Sequence, residues 1–234
     1  MQSVKQLSKM AKIQSFDQFL SEQYQIYHHR NDTEVIKQAA SRAPKLIKKI
    51  ESMRLRSLTE QERLENTTDD IIDRIGRDSL LRSFLRKDPS KQSIHENSQI
   101  ELIKLYRYSD FRKLPGAKRG RYLHNGSIMT SNKRPSKSTK TLDIYSVSNN
   151  VYGILKHSSV AGGAQDNQFR DVQHFIHDVV LYFNKNPGAL ERFEFYLDGG
   201  YYTEAKYSEL RDMIPENMLG RIVITSVDSI IPVP

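Results

Sequence analysis

Two residues on neighbouring predicted strands are of the right types to share one reaction. Asp143 stands in TLDIYSV and Lys156 near the end of VYGILKH, and Asn149-Asn150 between them reads as a hairpin turn. An acid and a lysine delivered to one mouth suit metal-assisted attack on a phosphodiester. The carboxylate holds a divalent cation, and the ammonium group stabilises charge on the attacked phosphate or positions the attacking water. Spacing alone fits a surface hairpin with two solvated charges as well, so the fold must decide between them.

Around this hairpin the later half of the chain reads β-β-α-β-α-β. NQFRDVQHFIHDVVLYFNKN is an amphipathic helix with Phe169, Val172, Phe175, Ile176, Val179 and Val180 on its apolar stripe. ERFEFYLD is a strand, KYSELRDMI a helix and RIVITSV a final strand. The expected class is α/β (α+β), a mixed central sheet flanked by helices. Residues 1–87 read as a helical region for dimerisation, DNA contact or both, with Lys45, Lys48, Lys49, Arg54 and Arg56 able to track a phosphate backbone, Pro44 suited to a first turn and Thr59 with Glu62 forming a capping box. Its apolar positions include Leu46, Ile50, Ile71, Ile72, Ile75, Leu80, Leu81 and Phe84. Asp88-Pro89 breaks the pattern, and SIHENSQIELIKLYRY resumes a helix that opens the second region, 88–234.

Residues 109–140 differ in kind: basic, interrupted by proline and glycine, with a short strand pair turning at Asn125-Gly126. Such an insertion beside a reactive strand suits the sugar-phosphate backbone. Arg112, Lys113, Lys118, Arg119, Arg121, Lys133, Arg134 and Lys137 are its candidate DNA contacts. Arginine or lysine engages guanine edges, and Asn132 an adenine edge. The formal charge of +8 makes an anionic polymer a natural partner. Absence of cysteine excludes disulfides, thiolate metal sites and cysteine nucleophiles. No apolar run approaches the ~20 residues that span a bilayer, and MQSVKQLSKMAKIQ lacks the apolar core of a secretion signal. A soluble cytoplasmic protein is expected. The seven histidines form no zinc-ligand spacing; His174 and His177 share a helix face without a third ligand. Asp198, before Gly199-Gly200, offers a second acid near the site, although a turn residue is the simpler reading.

The element order with Asp143 and Lys156 on adjacent strands resembles the PD-(D/E)XK nuclease superfamily, and within it the type II restriction endonucleases. The words GGAQDNQFRDVQHFI, FEFYLDGGYY and KDPSKQSIHENSQIELI share that likeness. The resemblance covers about the last 150 residues loosely and GGAQDNQ most closely. It implies a restriction-endonuclease-like core and a type II site-specific deoxyribonuclease that needs Mg2+. Such an enzyme cuts double-stranded DNA as a homodimer, leaves 5′-phosphates and serves a restriction-modification system. One position departs from the family: the acid two residues before the lysine is here Ile154, which cannot ligate a cation. Gln165, Asp166 and Asp171 on the following helix, and Glu96 on the helix before the sheet, are the substitutes the resemblance offers. A glutamine carbonyl is a usable hard ligand, and Asp166 serves equally as a helix cap. Asp143, Lys156, Gln165 and Glu96 are thus the expected catalytic set, with Asp143, Gln165 and Asp166 on the metal. The missing acid keeps two alternatives open: a restriction-type enzyme with metal-free chemistry, and a non-catalytic basic DNA-binding protein with a degenerate nuclease core.

Overall fold

The computed structural model describes residues 13–86, 93–116, 118–136, 138–158 and 163–232. They form two compact units, one of Leu20–Ile94 and one of the described residues on either side of it.

The first unit is helical: most of α1 (Phe16–Ala40), then α2 (Pro44–Ser57), α3 (Glu60–Glu65), α4 (Thr68–Arg74) and α5 (Ser79–Leu85). Each start has a chemical cause. Pro44 occupies the first turn of α2, where its missing N–H leaves no bond unmade. Thr59 with Glu62 and Thr67 with Asp70 form reciprocal capping boxes. Val35, Ala39, Leu46, Ile50, Ile71, Ile72, Ile75 and Leu85 make the core. Leu80 and Phe84, expected inside, are exposed, because α5 turns Leu85 inward instead.

The second unit is mixed α/β. After α6 (Ile94–Tyr106) come β1 (Arg112–Lys113), β2 (Gly120–His124), β3 (Ser127–Ser131), β4 (Ile144–Ser146) and β5 (Val151–His157). Then follow α7 (Gly163–Lys185), β6 (Arg192–Asp198), α8 (Glu204–Asp212) and β7 (Ile222–Thr225). The main sheet has the order β1-β4-β5-β6-β7; β1, β4 and β5 pair antiparallel, whereas β5, β6 and β7 run parallel. The hairpin β2-β3 is a separate sheet. Its turn residues Asn125 and Gly126 both have positive φ, the geometry that matches the twist of a two-residue hairpin.

Burial explains why β5 sits centrally. Val151 to Leu155 is a continuous buried run, as expected of a strand covered on both faces. On one face, Val172, Phe175, Ile176 and Val179 of α7 join Ile154, Phe193 and Phe195 in one core. Against this apolar background, β6 carries the fully buried Glu194. Arg107 grips it with two nitrogens at 2.9 and 3.0 Å, and the hydroxyls of Tyr108 and Tyr196 donate at 2.8 and 2.6 Å. This network ties the end of α6 to the sheet, since a buried carboxylate is tolerated only when paired and hydrogen-bonded.

Candidate active site

The β4-β5 register decides whether Asp143 and Lys156 can cooperate. Ile144 pairs with Gly153, so side-chain alternation puts Asp143, Ile154 and Lys156 on one face. Lys156 Nζ lies 3.9 Å from Asp143 Oδ2, and both side chains are largely buried, 14% and 19% exposed. Asp143 stands just before β4; its N–H donates to the Gly153 carbonyl at 3.2 Å, and its Oδ2 accepts the Leu155 N–H at 2.8 Å. The carboxylate thereby satisfies a β5 backbone donor. Lys156 Nζ also donates to the Leu155 carbonyl at 3.1 Å and lies 6.0 Å from the centre of the Phe175 ring.

Glu96 joins from the first turn of α6. Its Oε2 is 2.9 Å from Nζ of Lys113 on β1. Burial raises the Asp143 carboxyl above the usual carboxylate range. Lys156 and the Leu155 N–H oppose that rise, Glu96 adds to it and Lys113 opposes it. Two carboxylates and two ammonium groups, from α6, β1, the approach to β4 and β5, therefore share one field.

Behind the cluster lies a layer of which the sequence singles out Asp198 alone. Gln99 on α6 is buried and directs Nε2 at the Lys156 carbonyl (3.1 Å), the Tyr196 carbonyl (3.4 Å) and Asp198 Oδ2 (2.6 Å). Asp198, at the end of β6, also accepts the Val227 N–H at 2.8 Å. It is buried rather than a surface turn residue, and burial pushes its pKa up to about 7. The next residue, Gly199, has φ +93° and lies against the Ser158 backbone, where a Cβ would come within 2.3 Å of the carbonyl oxygen. His157 stacks on His95 with centroids 4.0 Å apart, and burial pushes its pKa down to about 4. Strand alternation puts this stacked pair on the sheet face opposite to the Lys156 side chain.

The other expected residues are dispersed. Ile154 is fully buried in the α7 core, so the position two before the lysine is a packing position here. Gln165 lies half-buried in the first turn of α7, and its side chain makes no hydrogen bond among the described residues. Asp166 accepts the Tyr201 hydroxyl at 2.7 Å, and Asp171 pairs with Lys140 at 2.5 Å. Among the proposed DNA contacts, Arg112, Lys118, Arg119, Asn132 and Lys133 are exposed. Arg121 donates to the Tyr152 hydroxyl at 3.1 Å and lies over the Tyr145 ring. Arg134 is tied to the carbonyls of Ser138 and Thr139. Lys137 lies outside the described residues. Asp178 on α7 carries no sequence signal of its own; it is buried between His174 and His177, each 3.6 Å away. Among the described residues, no group of three or more His, Cys, Asp or Glu side chains is arranged to hold a metal ion.

Comparison with protein-family models, with curated proteins and with solved structures finds no match in any of the three. No helix among the described residues is long and apolar enough to cross a membrane. Any reading of function therefore stands on the site itself.

Proposed function

We propose that this chain is a sequence-specific double-stranded DNA endonuclease of the type II restriction class, with a restriction-endonuclease-like core, acting in the cytoplasm as a homodimer. The observation that carries the reading is the 3.9 Å approach of Lys156 on β5 to Asp143 just before the antiparallel β4, with both side chains largely buried. The strand order supports it, because the hairpin that bears the pair is followed by α7 and a parallel strand. The exposed cations of the basic insertion supply a surface for the DNA backbone.

The donor set fits Mg2+, which keeps several waters and takes one or two carboxylates together with substrate phosphate oxygens. Asp143 would be the protein's direct ligand, joined by Glu96 once it leaves Lys113. When bound, the ion polarises a phosphoryl oxygen and lowers the pKa of a water. The chain's own groups do the rest. Lys156 offsets negative charge that builds on the attacked phosphate, in a site dry enough for that attraction to be strong. Gln99 holds the Lys156 backbone through its carbonyl, which fixes the strand from which the ammonium group projects. The stacked His95 and His157 stay neutral and add no competing charge.

A second reading rests on Ile154 and on the Lys113-Glu96 pair. With a buried isoleucine in place of one acid and a lysine on another, restriction-type cleavage without a metal, or DNA binding without cleavage, would use the same surface. Incubation with plasmid DNA separates the three. Discrete fragments with MgCl2 and none with EDTA support the metal mechanism, fragments in both support the metal-free one, and retention without fragments supports a binder.

A further inference from the structure

The helical unit contains a groove of about 860 Å3, formed by the second half of α1, the start of α2 and the end of α5. Its floor is apolar: Val35, Leu46 and Leu85 are buried members of the helical core. Its rim is basic. Arg30, Lys37 and Lys45 line it, all three are exposed, and none has an ion pair or side-chain hydrogen bond among the described residues.

Elsewhere in the unit, cations are neutralised where acids are at hand. Arg42 pairs with Asp69, Arg74 with Asp78, and Arg82 and Arg86 with Asp32. Lys49, also on the groove, donates to the Leu85 and Arg86 carbonyls at 2.7 and 3.1 Å and so caps the end of α5. Glu34 is the one acid in the lining, and it accepts from Gln38 at 2.6 Å rather than from a cation. Three positive charges that are unpaired among the described residues thus rim a concave surface that offers Val35, Leu46 and Leu85 together with the polar Asn31, Thr33 and Gln38. Arg30 and Lys37 are seven residues apart on one helix, two turns and about 10 Å along the same face, so they reach separate points of an extended ligand. A polyanion whose charges alternate with apolar rings fits this pattern: phosphates meet the rim and sugars meet the floor.

We propose that this groove binds the sugar-phosphate backbone of nucleic acid, as an anchor separate from the Asp143-Lys156 cluster. That the nucleic acid is DNA rests on the nuclease reading; the groove's preference for a phosphodiester chain does not. The full-length protein is titrated into a short, labelled DNA duplex in EDTA, at a series of salt concentrations, with fluorescence anisotropy as the readout. The combined variant Arg30→Gln, Lys37→Gln, Lys45→Gln is compared with Lys48→Gln, Arg63→Gln, Arg77→Gln, which removes the same charge from the same unit outside the groove lining.

The groove variant lowers the slope of log affinity against log salt by about 3, one for each phosphate that is no longer neutralised, and the comparison variant changes it by less than about 1. An unchanged slope in the groove variant, or an equal reduction in both, overturns the proposal. So does displacement of the duplex by poly-glutamate at matched charge. Where the triple variant fails to fold, the single variants each lower the slope by about 1. Groove-dependent binding without any cleavage in Mg2+ supports the anchor and sinks the nuclease reading. Asp143-dependent cleavage with an unchanged salt slope does the reverse.

Discussion

Replacing Asp143 with asparagine separates what the carboxylate does for a cation from what it does for the fold. Asparagine keeps an oxygen for the Leu155 N–H, so the β5 ladder stays capped. The charge count changes from balanced to unbalanced. Asp143 and Glu96 offset Lys113 and Lys156, and the variant leaves two lysines against one acid. A site that binds Mg2+ at about 1 mM holds about 4 kcal/mol of binding free energy. Two unit charges 4 Å apart near a protein surface attract by a similar amount, about 4 kcal/mol, so loss of the carboxylate removes binding. At Mg2+ ten times its dissociation constant, the wild type gains about 1.4 kcal/mol. That is a rise of roughly 3–6 °C in Tm for a unit of this size.

The sign of the metal-free comparison follows from burial. Because the folded-state pKa of Asp143 is raised, the unfolded chain loses this proton first as pH rises. Its contribution to stability is full below the ordinary carboxylate range and is lost as pH climbs through the raised value. Asp143→Asn removes this loss, so without metal the variant depends less on pH over that window. Scanning fluorimetry of both proteins, with and without MgCl2, reads both effects. Equal Mg2+ shifts in wild type and variant would refute Asp143 as the cation ligand.

Three further outcomes follow from the same geometry. Arg107→Leu leaves fully buried Glu194 without its bidentate partner but with Arg192 still 3.2 Å away, and lowers unfolding free energy by about 1.5–3 kcal/mol; adding Glu194→Leu recovers part of the loss in urea titrations. Ile154→Glu places an unpaired carboxylate in the α7 core and costs more than about 3 kcal/mol, whereas Ile154→Val costs only about 0.5–1.5 kcal/mol; similar urea midpoints for the two would contradict the burial of this position. Asp198, with its pKa pushed from 3.8 to about 7, contributes stability that is full below the lower value and lost as pH rises through the upper one. Within that window the fall is about 1.4 kcal/mol per pH unit, and unfolding measured across pH shows a flatter profile for Asp198→Asn.

Periodicity and turn chemistry made much of the architecture legible. The turns at Asn149-Asn150 and Asn125-Gly126, the α7 stripe and the parallel strands around Phe195 and Ile224 are local signals, and the Asp143-Lys156 approach follows once the first hairpin is registered. What stayed hidden depends on long-range pairing. Glu194 and Arg107 are 87 residues apart, and Gln99 and Asp198 are 99 apart. No spacing rule joins such residues. Asp198 reads as a turn former because a Gly-Gly follows it, and only the packing of α6 and the Val227 amide turns it into a buried acid. A polar residue in the middle of an apolar strand, such as Glu194 in RFEFYLD, was the available signal that a buried partner had to exist. Leu80 and Phe84 failed for the opposite reason: a helix of seven residues is too short for its apolar stripe to be fixed by sequence alone.

The central claim is that Asp143 and Lys156 act together on a phosphodiester. Its most direct test is cleavage of plasmid DNA by wild type, Asp143→Asn and Lys156→Ala, each with MgCl2 and with EDTA, alongside DNA-binding measurements on all three. The wild type gives discrete fragments with MgCl2 only, and neither variant gives fragments although both still bind DNA. Undiminished cutting by either variant would contradict the claim.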